Sequence, residues 1–171
     1  MRSSRAVPAL VIAALLSACA APPAAPPAGP SQARLGTMQA PPMEAAAQAT
    51  LNRARATSGL PPLSRHRTLD RVALRHAQDM VVNDFYGHRS ADGRNVRDRV
   101  NGAGYDSCMR AENIAWGQDT QAIVLEAWLG SPSHRRNILH PKARHFGLAG
   151  LHDPDGPYDP VWVMVLATTR C

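Results

Sequence analysis

The segment WLGSPSHRRNIL occupies residues 128–139 and contains the end of one predicted helix and the start of the next. The apolar spacing of residues 120–129 predicts the first of these helices. Ser131 is a typical N-cap and Pro132 suits the first helical position, so a second helix is predicted to begin there. Pro141 marks its end.

Three more helices are predicted before this segment. Residues 43–57 are rich in Ala, Gln, Glu and Arg and are followed by Ser58 and Gly59, which predicts a helix with a glycine stop. Residues 95–102 predict a short helix. Residues 68–83 predict a longer one, because apolar side chains and one histidine recur there at helical spacing: Leu69, Val72, Ala73, His76, Ala77 and Met80. That histidine is therefore predicted to belong to the core.

Strand signals come late in the chain. Residues 146–151 and 161–167 are apolar and β-branched, and the turn-rich residues 153–157 separate them. A third strand is predicted through residues 114–116. Several helices with few strands predict an α+β fold, in which a small sheet carries helices on both faces. The three tryptophans are predicted to lie in the core: Trp116, Trp128 and Trp162.

Residues 1–18 have the parts of a secretory signal, namely a basic start, a short apolar run and small residues before a cut. The apolar run is about half the roughly 20 residues that a membrane-spanning helix needs. The ending Leu16-Ser17-Ala18-Cys19 resembles the lipobox of bacterial lipoproteins, which implies acyl chains such as palmitate on Cys19. The alternative is ordinary cleavage after Ala18, which would leave Cys19 as a thiol.

A lipid on Cys19 predicts a protein of the cell envelope that is held at a membrane by its acyl chains. Ala20, in place of an aspartate, resembles the outer-membrane address if the organism is Gram-negative. Residues 19–39 are predicted to be the lipidated cysteine and a spacer of Pro and Ala, and residues 40–171 a single domain. Removal of residues 1–18 lowers the net charge from +6 to about +4. The arginines are scattered among acids, so no nucleic-acid partner is predicted.

Cys108 and Cys171 remain once Cys19 is lipidated. In an oxidising compartment such an even remainder predicts a disulfide. The bond would close a loop of about 63 residues and contribute roughly 4 kcal/mol in the chain-entropy model. A redox-active pair would need a local Cys-x-x-Cys motif, which the sequence lacks.

The sequence contains no motif that builds a catalytic site by local spacing alone. His-Glu-x-x-His, Gly-x-Ser-x-Gly and glycine-rich phosphate loops are absent, which argues against three large enzyme classes. What remains is a dispersed set of short motifs in a fixed order: Leu51-Asn52 with Arg55, the Leu60–Leu63 connector, Gly87-His88 with Ser90, Asp92 and Gly93, Glu112-Asn113-Ile114-Ala115, and residues 128–139. Over residues 40–171 this set resembles the CAP superfamily (cysteine-rich secretory proteins, antigen 5 and pathogenesis-related 1) in its short bacterial form.

The resemblance implies an α-β-α layered sandwich with a mainly antiparallel sheet and an open cleft. His88 matches the first cleft histidine, Glu112 the acid of the Glu-Asn-Ile-Ala motif, and His134 the second histidine. Larger members carry a second acid where this chain has Ser131, which leaves Ser131 and Asn113 as secondary cleft candidates. The family sometimes binds a divalent metal there, which implies a metal site, for example for zinc, at His88 and His134.

Two imidazoles and a carboxylate suit zinc and leave a coordination position open, which fits a catalytic site and also a weak, adventitious metal. Without metal, Glu112 would hold one histidine in a chosen tautomer. The simpler alternatives are a solvated loop histidine for His88 and a local contact at a helix start for His134. Arg135 and Arg136 either solvate a helix face or receive an anionic group.

Three functions are compatible with this set. The resemblance favours binding, either of a small apolar or amphiphilic ligand such as a lipid or sterol, or of a partner in the envelope. A metal-dependent hydrolase, protease or nuclease would use Glu112 as general base. The missing second acid argues against it, and Ser90 and Ser131 are nucleophile candidates only by default. The third function is that of a structural protein of the envelope.

Overall fold

The computed structural model describes residues 45–169, which contain five helices and four strands. The helices are α1 (Ala45–Thr57), α2 (Arg67–Val82), α3 (Val96–Gly102), α4 (Gln121–Gly130) and α5 (Pro132–Ile138). The strands are β1 (Ser64–Arg65), β2 (Met109–Trp116), β3 (His145–Leu151) and β4 (Val161–Thr168).

Strand β4 lies inside the domain and contributes to two hydrophobic cores. All of its residues are buried, and successive side chains of a strand point to opposite faces of the sheet. One core joins the sheet to α2 and α3 and contains Val161, Val163, Val165 and Ala167. The other joins it to α1, α4 and α5 and contains Trp162, Met164 and Leu166. The predicted sandwich of helices, sheet and helices is confirmed.

The sheet has the strand order β1-β3-β4-β2. Strand β4 pairs antiparallel with both of its neighbours, and β1 pairs parallel with β3. The sheet is therefore mainly antiparallel, as predicted. Strand β1 has no sequence signal because two residues are too few to show alternation. Strand β2 begins at Met109, well before the predicted residues 114–116. The sequence does not indicate this first half of the strand, because Arg110 and Glu112 interrupt its apolar pattern.

The helix ends agree with the predictions to within one residue wherever the structure describes them, except that α5 ends at Ile138, three residues before the predicted stop at Pro141. Asn95 caps α3 by accepting from the backbone N–H groups of Arg97 and Asp98, while the Asp98 carboxylate accepts from the Asn95 N–H. Ser131 occupies the N-cap position of α5, but its side chain makes no capping hydrogen bond. Its hydroxyl lies 3.3 Å from that of Ser133 instead, so the predicted N-cap position is confirmed but is held without a side-chain capping bond.

Helix α2 comes close to the sheet at Gly147 of β3. A Cβ atom at this position would lie 2.1 Å from the carbonyl carbon of Leu69 and 2.2 Å from the backbone nitrogen of Asp70. The Asp70 carboxylate also accepts from the backbone N–H of Leu148 at 3.2 Å. Because glycine has no side chain, α2 can lie directly on β3 at Gly147. This contact fixes the position of His76 further along the helix.

Several predictions concern residues outside the described range 45–169. The signal peptide (1–18), the lipidated Cys19, the spacer (19–39) and Cys171 lie there, and these assignments stay predictions. Cys108 lies just before β2, and its sulfur is 3.6 Å from the carbonyl oxygen of Thr168. Cys171 follows Thr168 by three residues, so the position of Cys108 is compatible with the predicted disulfide. Within residues 45–169, no helix is long and apolar enough to cross a membrane.

Candidate functional site

His88 and Glu112, two of the predicted cleft residues, are in direct contact. His88 lies in the loop between α2 and α3 with its side chain 59% exposed, and its Nδ1 lies 2.9 Å from Glu112 Oε1. Glu112 lies on β2 with its side chain only 2% exposed. Since a carboxylate only accepts hydrogen bonds, the proton of this hydrogen bond is carried by Nδ1 of His88.

Arg99 of α3 pairs with the other oxygen of Glu112. Its Nη2 donates to Oε2 at 2.6 Å, and its side chain is 5% exposed. Its Nη1 donates to the backbone carbonyl oxygen of His88 at 3.1 Å. Arg99 therefore neutralises the buried carboxylate and holds the loop that carries His88. The sequence gives no local signal for this role, because Arg99 and Arg97 look alike on a short polar helix.

His76 lies behind Glu112, in the core position predicted for it. Its Nε2 lies 2.9 Å from the carbonyl oxygen of Gly87, so Nε2 carries the proton. The same nitrogen lies 3.8 Å from Glu112 Oε1. Burial lowers the pKa of His76, and this effect exceeds the opposing effect of the Glu112 charge. Neutral His76 thus anchors Gly87, the residue directly before His88.

Asn113 positions helix α5, which carries the second histidine of the cleft. Asn113 is fully buried, and its Nδ2 donates to the backbone carbonyl oxygen of His134 at 3.1 Å. Its Oδ1 accepts from Asn137 Nδ2 at 2.8 Å, and the same Nδ2 donates to the Glu112 carbonyl oxygen at 3.2 Å. Asn113 therefore lies behind the cleft and orients α5, whereas the sequence analysis placed it among the cleft candidates.

His134 is partly buried at the start of α5. Its pKa is lowered, first by burial and then by the charge of His88. Its backbone carbonyl oxygen accepts from Asn113, which follows Glu112 on β2, and Glu112 contacts His88. The ring of His134 lies 6.5 Å from that of Trp128. The fold thus brings His88, Glu112 and His134 into one region.

An open groove of about 320 Å³ adjoins this region. Trp116 in its wall is 48% exposed, so the predicted core position of Trp116 is wrong. It is the last residue of β2, an edge strand, where the sheet ends and leaves the ring uncovered. Trp128 and Trp162 are buried as predicted. The groove is lined by Tyr86, Ile114, Ala115, Trp116, Gln118, Ala127, Trp128, Ser131 and His134.

The aromatic wall of the groove is supported from behind by Tyr158. Its ring lies 5.7 Å from that of Trp116, edge to face, and 5.6 Å from that of Tyr86. Burial raises the pKa of Tyr86 to about 12, so its hydroxyl stays protonated at any ordinary pH. The groove therefore has a neutral aromatic wall, and its other polar lining residues are Gln118, Ser131 and His134.

Of the three predicted cleft residues His88, Glu112 and His134, only the two histidines are free to act as metal ligands. Among residues 45–169, no three His, Cys, Asp or Glu side chains are grouped so that they could hold a metal ion. Both oxygens of Glu112 already accept hydrogen bonds, from His88 and Arg99. Glu112 is thus suited to orient His88, as outer carboxylates orient metal-binding histidines. A metal held by His88 and His134 stays a prediction.

The fold and the motifs match one protein family along most of the chain. The model of the family described as "CAP: Cysteine-rich secretory protein family" matches residues 48–166. The chain belongs to this family, as the sequence analysis predicted.

Individual relatives agree with this assignment. The uncharacterized protein YkwD of Bacillus subtilis is 36% identical over 97 residues, which cover 57% of this chain and 38% of YkwD. The chain thus spans well under half the length of this curated relative. An extracellular SCP-domain protein of Bacillus anthracis superposes with a TM-score of 0.62 at 25% identity, covering 71% of this chain and 39% of that one. An outer surface protein of Borrelia burgdorferi gives a TM-score of 0.64 at 22% identity, covering 71% of this chain and 88% of that one, which shows the shared fold.

Proposed function

We propose that this chain is an exported bacterial CAP protein, tethered to a membrane of the envelope by lipid on Cys19, whose groove binds a small amphiphilic ligand. The basic, apolar and small-residue segments before Cys19 support export and lipidation. Similar solved proteins are described as an extracellular protein and an outer surface protein, which supports an envelope location.

The groove beside the histidines is the observation that carries the binding proposal. It combines an exposed aromatic wall at Trp116 with polar side chains from Gln118, Ser131 and His134. An apolar surface with a few convergent polar groups is the usual character of a small-molecule site. A ligand with an apolar body and a hydrogen-bonding head matches both parts of the groove.

Binding accounts for the geometry better than hydrolysis does. Glu112 is poorly placed as a general base, because its side chain is only 2% exposed and its carboxylate is already paired with Arg99 and His88. The two serines considered as nucleophiles have other partners, because Ser90 accepts from Arg99 at 3.2 Å and Ser131 lies 3.3 Å from Ser133. In the described residues, neither hydroxyl contacts a histidine or a carboxylate that would activate it.

The tether is tested by native mass spectrometry of the full-length protein extracted from bacterial membranes without a chelator. The proposal expects the mass of a protein that begins at Cys19 and carries acyl chains. The same spectrum reports any retained metal or amphiphile. A protein without an acyl mass on Cys19 would overturn the lipid tether.

The groove is tested with 1-monolauroylglycerol, a neutral amphiphile, by measuring tryptophan fluorescence during titration of the full-length protein. We expect Trp116→Ala and Ala127→Trp, which remove the wall and fill the groove, to weaken binding at least tenfold. Ile123→Ala is the matched control, because Ile123 is 47% exposed and lies outside the groove. Equal affinities for all four proteins, or no binding by the wild type, would rule out the groove as the binding site.

A further inference from the structure

A second cavity, of about 440 Å³, lies between α2, α3 and the loop that joins them. It shares no lining residue with the aromatic groove. Its walls are rich in guanidinium groups, which come from two helices and the loop. Four arginines line it: Arg71, Arg75, Arg94 and Arg99. We call this cavity the arginine pocket.

The four guanidinium groups of the arginine pocket face three carboxylates, those of Asp79, Asp92 and Glu112, so the pocket keeps a net positive charge of one. Asp79 is the acid that lines the pocket, and its two oxygens accept from the Ala91 backbone N–H at 3.0 Å and from Asn83 Nδ2 at 2.8 Å. Arg94 pairs with Asp92 at 2.7 Å, and Arg99 pairs with Glu112 at 2.6 Å. The two remaining arginines, Arg71 and Arg75, form no ion pair within residues 45–169.

Arg71 and Arg75 lie one helical turn apart on α2. Like charges at this spacing destabilise a helix by a few tenths of a kcal/mol. The Arg71 guanidinium donates to the Thr68 hydroxyl at 3.2 Å, and Arg75 makes no side-chain hydrogen bond within the described residues. An anion between the two side chains would relieve their repulsion and accept their free N–H groups.

Ser90 supplies a further donor to the pocket. The residue is 6% exposed. Its hydroxyl accepts from Arg99 Nη1 at 3.2 Å, which leaves its own hydrogen available for another acceptor. Arg99 Nε is shielded from solvent and has no acceptor among the described residues. The donors that the pocket offers to a ligand are thus the Ser90 hydroxyl and the Arg71 and Arg75 guanidinium groups.

We infer that the arginine pocket binds a phosphoryl group carried by a small ester. Arg71 and Arg75 form no ion pair within the described residues, and arginine binds phosphate oxygens through paired N–H groups. A cavity of about 440 Å³ has the size of a small-molecule site, with room for the glycerol or sugar that carries the phosphate. Soluble phosphate monoesters and the headgroup of phosphatidic acid share this chemistry.

The test is isothermal titration of the full-length protein, carrying Cys19→Ser to keep it free of acyl chains, with sn-glycerol 3-phosphate at low ionic strength. We expect the double variant Arg71→Gln, Arg75→Gln to bind at least tenfold more weakly than the parent protein. Glutamine keeps the helix propensity of arginine. The matched control is Arg53→Gln, Arg97→Gln, which loses the same charge from exposed positions outside the pocket and is expected to change affinity less than twofold.

Two results would overturn the proposal: no binding of glycerol phosphate by the parent protein, or equal weakening in the two double variants. Sedimentation with phosphatidic acid vesicles separates the sources of the phosphoryl group. Vesicle binding that glycerol phosphate competes away supports a site that also accepts lipid headgroups, and binding of glycerol phosphate by a protein that does not bind the vesicles supports a soluble ligand. Circular dichroism of each variant checks that the fold is intact. The neutral probe used for the groove does not address this pocket, so either proposal can fail alone.

Discussion

Arg99 and Glu112 form a buried ion pair in which Nη2 lies 2.6 Å from Oε2 and the side chains are 5% and 2% exposed. The second oxygen of the same carboxylate contacts Nδ1 of His88. One buried carboxylate therefore both compensates the charge of Arg99 and orients the exposed histidine of the cleft. The arginine pocket and the cleft meet at this pair.

Glu112→Gln is expected to destabilise the fold by about 3 kcal/mol or more, because it leaves the buried Arg99 without a countercharge. The free energy of unfolding, measured by urea denaturation, checks this. Glu126→Gln is the matched control, because Glu126 is exposed on α4 and its substitution should cost less than about 0.5 kcal/mol. Equal stabilities of the two variants would show that the pair contributes nothing net.

Neutral His88 is expected to exist mainly as the Nδ1–H tautomer, because Nδ1 lies 2.9 Å from Glu112 Oε1. Long-range ¹H–¹⁵N spectra of labelled protein distinguish the two tautomers. In Glu112→Gln the population should shift toward Nε2–H, because the carboxylate that fixes the proton is gone. His152, which is exposed and far along the chain, is an internal control, and an unchanged His88 pattern would contradict the orienting role of Glu112.

Acid pH is expected to destabilise the fold through His76. Burial lowers the pKa of folded His76, whereas the unfolded chain binds a proton near pH 6.5. Neutral His76 therefore makes its full contribution to the free energy of unfolding above about pH 6.5. This contribution declines as the pH falls toward the lower pKa of the folded state. Urea denaturation between pH 7.5 and 5 should show a smaller decline in His76→Gln than in the wild type.

The free energy of unfolding of His76→Gln should still decline at acid pH, because other histidines also contribute to the pH dependence. The pKa values of His134 and His145 are also lowered, in both cases first by burial and then by a neighbouring histidine, His88 and His66 respectively. His152→Gln removes an exposed histidine and should retain the wild-type slope. If His76→Gln and His152→Gln have the same pH dependence, buried His76 is not a source of the acid sensitivity.

The sequence predicts those features that depend on local spacing. Helix α2 follows from its apolar period, and the burial of His76 follows from the same period. The contact between His76 and Glu112 does not, because it joins a helix to a strand 36 residues away. Arg99 is missed for the same reason, since its burial depends on the partner that β2 supplies. The cleft residues could be named in advance only through the family resemblance, because no local motif links His88 to His134.

Gly147→Ala is expected to destabilise the fold by about 3 kcal/mol, because its Cβ would lie 2.1 Å from the backbone of Leu69 and force α2 away from β3. Urea denaturation measures the change. Gly130→Ala is the control, because a Cβ at Gly130 meets nothing within 4 Å and Gly130 ends α4. That variant should be neutral or slightly stabilising. If Gly147→Ala lowers the free energy of unfolding no more than Gly130→Ala does, α2 tolerates the added methyl group.

Arg55→Lys is expected to destabilise the fold by about 2–4 kcal/mol, because a lysine cannot reproduce the planar set of donors and leaves buried carbonyl oxygens without partners. The Arg55 side chain is fully buried on α1, and burial lowers its pKa. Its guanidinium donates at 2.7–3.1 Å to four backbone carbonyl oxygens, of Pro61, Ile138, His140 and Ala143. Arg53→Lys, two residues earlier on the exposed face of α1, should be neutral, and thermal unfolding of the two variants makes the comparison. If both variants unfold at the same temperature as the wild type, the hydrogen bonds of Arg55 do not stabilise the packing of α1 against the segment after α5.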